Sequence, residues 1–128
     1  MTTPTLTSFC RAYLICALWS STDDHQEPLD ANRGIDDLTQ EAIEKAVADC
    51  AKFEAENAAD IELAALSSDR AGHCFWLNRN GHGSGFRDEY SKSDAEHYEP
   101  CERLSAASEK FKGTDLYVGD DGKLHFSR

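Results

Sequence analysis

Apolar positions along the chain fall into three or four helix-spaced runs followed by a strand-spaced pair. Between Thr5 and Trp19, the residues Leu6, Phe9, Cys10, Tyr13, Leu14, Ala17 and Leu18 recur at intervals of three and four, the spacing that gathers side chains on one face of a helix. Thr5 or Thr7 supplies the capping hydroxyl. Ile15 and Trp19 fall off that face, so the helix is apolar around most of its girth and is expected to be sandwiched between other elements. A second helix is predicted from its cap, Thr39, to about Ala58 or a little further, with Glu41 in the first turn and Leu38 closing over Ile43. Its apolar stripe is Ile43, Ala46, Val47, Cys50, Phe53 and Asn57. Glu41, Lys45, Asp49, Lys52 and Glu56 run down the other side as a solvated ladder of alternating charge.

The stretch Ser68 to Asn80 reads in two ways. As a helix it buries Ala71, Cys74, Phe75 and Asn78 and ends on Asn80-Gly81; as a hairpin turning at Asn80-Gly81 it sets Phe75 opposite Phe86. The helix, followed by a glycine-rich loop through Gly85, is the preferred reading. Ser93 and Glu96 form a capping box, but Pro100 interrupts the run, and the better helix starts near Glu99 with Pro100 at its first position. Cys101, Leu104, Ala107, Ser108 and Phe111 are then its buried stripe and Gly113 its stop. At the C-terminal end, a two-residue turn at Asp121-Gly122 mixes apolar and polar residues on each face. A three-residue loop, Asp120-Asp121-Gly122, instead sets Val118 against Leu124 and Leu116 against Phe126, with Gly122 in the left-handed position. The expected fold is a mostly helical α+β single domain with a C-terminal β-hairpin packed on helices, because an isolated hairpin is marginal.

Length agrees with one domain over 1–128, since 128 residues support one modest core. The longest apolar stretch, Ala12 to Trp19, has eight residues, short of the roughly 20 that span a bilayer; neither a membrane partner nor a secretory leader is expected. Five cysteines, an odd number without paired C-x-x-C spacing, read as small buried thiols in a reducing cytosol.

Charge changes the picture most. The formal net charge is −11, and Asp23 to Glu62 carries 13 acids against 3 bases, a net of −10, leaving 11 acids and 10 bases elsewhere. Direct binding to duplex DNA is therefore not expected. Much of the excess lies in the connection at about 20–38, which holds Pro28, Gly34 and six acids without apolar periodicity. Such a patch either solubilises the protein or imitates a row of phosphates toward a basic groove. The second helix alone is too sparse for imitation, with roughly one carboxylate per 5 Å of axis against one phosphate per about 1.7 Å of duplex. The loop acids must take part. The expected contact residues are Asp23, Asp24, Glu27, Asp30, Asp36, Asp37, Glu41 and Glu44.

A second concentration of chemistry is Gly72 to Arg87, where Trp76, Arg79, His82 and Arg87 accompany closely spaced glycines. That composition suits an anion or a stacked base and supports the alternative of a nucleic-acid or nucleotide binder. The glycines do not open a helix after a strand, no Lys-Ser/Thr completes a phosphate loop, and Ser84 lacks the spacing of a nucleophile elbow. His73, Cys74, His82, His97 and Cys101 have ligand chemistry but no zinc spacing, so no metal, cofactor or catalytic set is expected.

Four phrases carry a resemblance: Gly72 to Arg87, Ala12-Tyr13-Leu14-Ile15-Cys16-Ala17-Leu18-Trp19-Ser20-Ser21, Pro28-Leu29-Asp30-Ala31-Asn32, and Asp115-Leu116-Tyr117-Val118-Gly119-Asp120-Asp121-Gly122. The chain is similar to a group of small acidic proteins encoded by bacteriophages and prophages. The resemblance implies a phage accessory protein in the host cytosol; accessory proteins of this size and charge are often inhibitors of host-defence systems of the anti-CRISPR or anti-restriction kind, so by analogy it favours the DNA mimic among the readings of the acidic patch. The expected partner is a host protein or protein–nucleic-acid complex with a basic surface, and the expected role is binding rather than catalysis.

Overall fold

Thr7 is extended (φ −72°, ψ 163°), and its hydroxyl accepts the Cys10 N–H at 3.1 Å, which starts helix α1, Ser8–Ser20, in the computed structural model of the chain. The structure describes residues 6–23, 25–81 and 85–127. Thr39 and Ser67 cap α2, Gln40–Leu63, and α3, Ser68–Arg79, in the same way, through the Ala42 and Arg70 N–H groups. Helix α4 is Ala95–Glu109, and strands β1, Leu116–Val118, and β2, Leu124–Phe126, pair antiparallel. The result is the mostly helical α+β arrangement with a terminal hairpin that the pattern predicts, and the ambiguous stretch 68–80 is helical.

The core is aromatic. Helices α1 and α3 pack along their lengths, and Phe9, Tyr13, Phe53, Phe75, Trp76 and Phe86 are all buried. Phe75 is the centre: it stacks on Phe53 with ring centroids 4.2 Å apart, lies 5.2 Å from Tyr13 and meets the edge of Phe111 at 5.0 Å. The close approach of α1 to α3 depends on Gly72, where a Cβ would overlap the Phe9 carbonyl. Trp76 is secured at its polar end, its indole N–H donating to Ser20 Oγ at 2.7 Å while Ser20 donates back to the Cys16 carbonyl. All five cysteines are buried and free, matching the expectation of small core thiols.

Two expectations change, for α1 and α4, and α2 carries a kink that its periodicity does not show. Helix α1 is not sandwiched: Ile15 and Trp19 are 52% and 59% exposed, because α2, α3 and the 3-10 turn Leu29–Ala31 gather on the opposite side. Helix α2 runs past Ala58 to Leu63, but it kinks at Asn57 (φ −126°, ψ 16°), whose side-chain amide donates to the Phe53 carbonyl. Helix α4 starts at Ala95, ahead of Glu99. The His97 imidazole, stacked 4.8 Å from the Tyr90 ring, hydrogen-bonds the Asp94 carboxylate and holds the first turn together. Pro100 removes only the N–H that would reach the Glu96 carbonyl, and it is buried.

The hairpin takes the register that keeps one face apolar: Leu116 opposite Phe126, Tyr117 opposite His125 and Val118 opposite Leu124. Gly122 sits at φ +78° in the loop. The ribbon is also tied to the chain ahead of α2 by a parallel bridge between Leu38 and Leu124 and by the Thr39 N–H donating to the Leu124 carbonyl at 3.1 Å. No helix among the described residues is long and apolar enough to cross a membrane.

Candidate functional site

The acidic connection is built rather than loose. Thr22 and Pro28 pair across a tight turn in which the Asp23 carboxylate accepts the N–H groups of His25 (2.8 Å) and Glu27 (3.1 Å). These bonds, led by the one from Glu27, hold the Asp23 carboxyl below the usual range, and Arg33 lies 3.9 Å away. Leu29 is fully buried and anchors the segment to α1, its N–H donating to the Ser21 carbonyl. A second 3-10 turn, Ile35–Asp37, follows, with the Asp37 carboxylate accepting the Gly34 N–H at 2.8 Å.

Along this scaffold Glu27, Asp30, Asp36, Asp37, Glu41 and Glu44 are exposed, and none has an ion-pair partner among the described residues. Arg33 is the one cation between residues 27 and 44, and it faces Asp23. Because the Leu38–Leu124 bridge is parallel, the chain carrying Asp36 and Asp37 runs in the same direction as the chain carrying Gly122 and Lys123 at the end of the hairpin loop. Asp121 is partnered by His125 at 3.0 Å. The expected contact residues thus divide. Asp23 shapes its own turn, Asp37 caps one while staying exposed, and Glu27, Asp30, Asp36, Glu41 and Glu44 have no backbone duty. Asp24 lies outside the described residues.

The Gly72–Arg87 segment is spent largely on the core. Trp76 is 2% exposed and has no free face for a base. The Arg79 side chain, also 2% exposed, is fully engaged. Its Nη1 donates to Asp49 (2.9 Å) and to the Tyr13 hydroxyl (3.1 Å), its Nη2 to the Phe111 carbonyl (3.0 Å), and its Nε to the Lys112 carbonyl (3.0 Å). It therefore ties the end of α4 to α1, α2 and α3. Burial also pushes the Tyr13 phenol up, so it stays protonated. Arg87 is exposed and pairs loosely with Glu109 at 3.4 Å, while His82 lies outside the described residues. The glycine spacing has a structural reason at Gly85, which sits at φ +133° against the Asn78 side chain that accepts the Phe86 N–H at 2.7 Å.

No group of three or more His, Cys, Asp or Glu side chains able to hold a metal ion occurs among the described residues. Burial raises the thiols of Cys16, to about 12, and Cys101, to about 11, and those of Cys50 and Cys74 as well, so these four are protonated at neutral pH. His73, beside α1, is lowered first by burial and then by Arg70, and is neutral.

The charge ladder of α2 is the feature whose meaning changes most. Asp49 is not solvated: its side chain is 14% exposed because Arg79 reaches it from below while Lys45 bonds it at 3.2 Å from outside. Lys45, Asp49, Lys52 and Glu56 form one wall of a cleft whose other wall is Ala107, Lys110 and Phe111 at the end of α4. Sequence spacing finds the α2 wall, but nothing local pairs it with residues more than 50 positions away. No family model, no curated protein and no solved structure matches the chain.

Proposed function

We propose that this chain is an acidic binding protein that docks its 27–44 edge onto the basic surface of a nucleic-acid-handling host protein or complex and inhibits it by occupying the path of the nucleic acid. The observation that carries this reading is the run of six exposed carboxylates, Glu27, Asp30, Asp36, Asp37, Glu41 and Glu44, without ion-pair partners among the described residues and held on a backbone fixed by turns and an anchoring leucine. Unpaired anions on a preset scaffold keep their charge available to a partner and lose little entropy on binding. Paired carboxylates such as Asp49, Asp60 and Glu89 have their charge absorbed within the molecule. The likeness to phage accessory proteins supports the same direction, in which the target is a defence nuclease or an RNA-guided complex of the host cytosol. The reading through Gly72–Arg87 is the weaker one, since two of its four side chains, Trp76 and Arg79, are buried.

Structure also chooses the test variant. Reversing Asp23 disturbs its own turn, whereas Glu27, Asp30, Asp36 and Glu41 can be changed to Lys together without removing any backbone contact. Four reversals shift the net charge by eight units, from −11 to −3. Affinity capture from a bacterial host lysate, with mass spectrometry and then binding to the purified partner, should give a defined basic protein whose capture by wild type weakens with salt. The reversed variant should lose that protein while keeping its thermal transition. Equal capture by both proteins removes the proposal.

A further inference from the structure

We propose that the cleft between α2 and the end of α4 is a binding site for a small ligand carrying a phosphate group. It is an open cleft of about 560 Å³, within the size range of pockets that take small molecules. Lys45, Lys52, Lys110 and Arg79 line it against only two carboxylates, Asp49 and Glu56. A surplus of two positive charges is therefore concentrated at one place on a chain whose net charge is −11.

The internal pairing makes that surplus available. Arg79 is held in place by Asp49 and by three neutral acceptors, so it forms a fixed positive floor rather than a mobile cation. Asp49, shared between Arg79 and Lys45, is thereby neutralised twice over. Lys52 and Lys110 have no carboxylate partner among the described residues. Lys52 is held instead over the half-buried Phe111 ring, its Nζ 5.7 Å from the centroid, an arrangement that keeps its charge unneutralised and gives the cleft an apolar side.

The charge of the rest of the molecule sets the size of the ligand. A long polyanion entering the cleft would also meet Glu41 and Glu44 on the same helix, so the favourable field is local and suits a compact anion. A dianionic phosphate matches the surplus of two, and ammonium groups on flexible stems suit it as point charges. This site adjoins the acidic edge but shares none of its residues, so either can fail without the other.

Inorganic phosphate, pyrophosphate and adenosine monophosphate, titrated at low ionic strength and followed by amide NMR shifts, test the proposal. Saturable shifts confined to residues around 45–57 and 107–112 are expected for at least one probe. The variant with Lys52→Gln and Lys110→Gln should bind about tenfold more weakly, about 1.4 kcal/mol, with an unchanged melting transition. Lys92→Gln with Lys123→Gln, which removes the same charge elsewhere, should leave affinity within about twofold. Tighter binding of the nucleotide than of pyrophosphate identifies a ligand that also uses the Phe111 side, and the reverse order identifies the phosphate alone. Absence of saturation with all three probes, shifts scattered over the whole surface, or equal weakening by the Lys92 and Lys123 changes overturns the proposal.

Discussion

Replacing Arg79 by Met tests how the molecule is fastened, because one guanidinium joins four elements from a position with 2% of its side chain exposed. The substitution preserves most of the side-chain volume but leaves the Asp49 carboxylate with Lys45 alone and the Tyr13 hydroxyl and the Phe111 and Lys112 carbonyls without their donor. Removing one partner of a buried ion pair costs about 3–5 kcal/mol. Total stability of a domain is about 5–15 kcal/mol. For this size each kcal/mol is worth roughly 3–5 °C of melting temperature, so Arg79→Met should melt about 10–20 °C lower. Asp49→Asn, which keeps the shape and removes the charge, should cost less, about 2–3 kcal/mol, since three neutral acceptors still hold the guanidinium. Changing both, Arg79→Met with Asp49→Asn, should be less damaging than the sum of the single changes, because no buried charge is left unpaired. Urea unfolding of the four proteins, followed by circular dichroism, gives the cycle directly. A coupling energy below about 0.5 kcal/mol, or an Arg79→Met variant within about 1 kcal/mol of wild type, would refute the assignment of Arg79 as the fastener.

Three further outcomes follow from single positions. Gly72→Ala places a Cβ against the Phe9 carbonyl and should destabilise by roughly 1–3 kcal/mol in the same urea assay, because two helix backbones must part to admit it. Ser105 is fully buried with a hydroxyl that has no hydrogen-bond partner among the described residues, so Ser105→Ala should stabilise by about 1 kcal/mol rather than destabilise, read as a higher urea midpoint. Burial raises the Glu54 carboxyl above its ordinary 4.5, so the folded state favours the protonated form, and the contribution of Glu54 is best at low pH and worsens as pH rises through the raised value. Glu54→Gln should then be the more stable protein at pH 7, with the gap narrowing as pH falls through the raised value and closed below about 4.5, in melting curves taken across pH.

Most of the fold was legible because its signals are local. Thr39, Ser67 and Thr7 each precede an apolar run and cap it, and the hairpin register follows from the need to put Leu116, Val118, Leu124 and Phe126 on one face. The differences arise where a distant partner decides. Nothing in the spacing of Ile15 and Trp19 tells that no described element covers them. Pro100 reads as a start signal, yet the ring of His97 against Tyr90 and Asp94 extends α4 by a turn. The acidic edge is visible as a run of charge, but its anchoring to the fold comes from Leu29 and from the Leu38–Leu124 bridge, which joins segments some 86 residues apart. Trp76 and Arg79 resembled ligand-binding chemistry in a glycine-rich context, and only the packing of α1, α2 and α4 around α3 turns them into core. Asp49 illustrates the same limit: its i,i+4 Lys45 is readable, whereas the Arg79 that buries it is 30 positions away.

Amide hydrogen exchange on the complex with the captured partner tests the acidic edge most directly, because it locates the interface without altering any charge. Protection gained on binding should concentrate in residues 25–44, with α4 unchanged. Protection confined to α4 or to the exposed Ile15 and Trp19 side of α1, with residues 25–44 exchanging as in the free protein, would contradict the account.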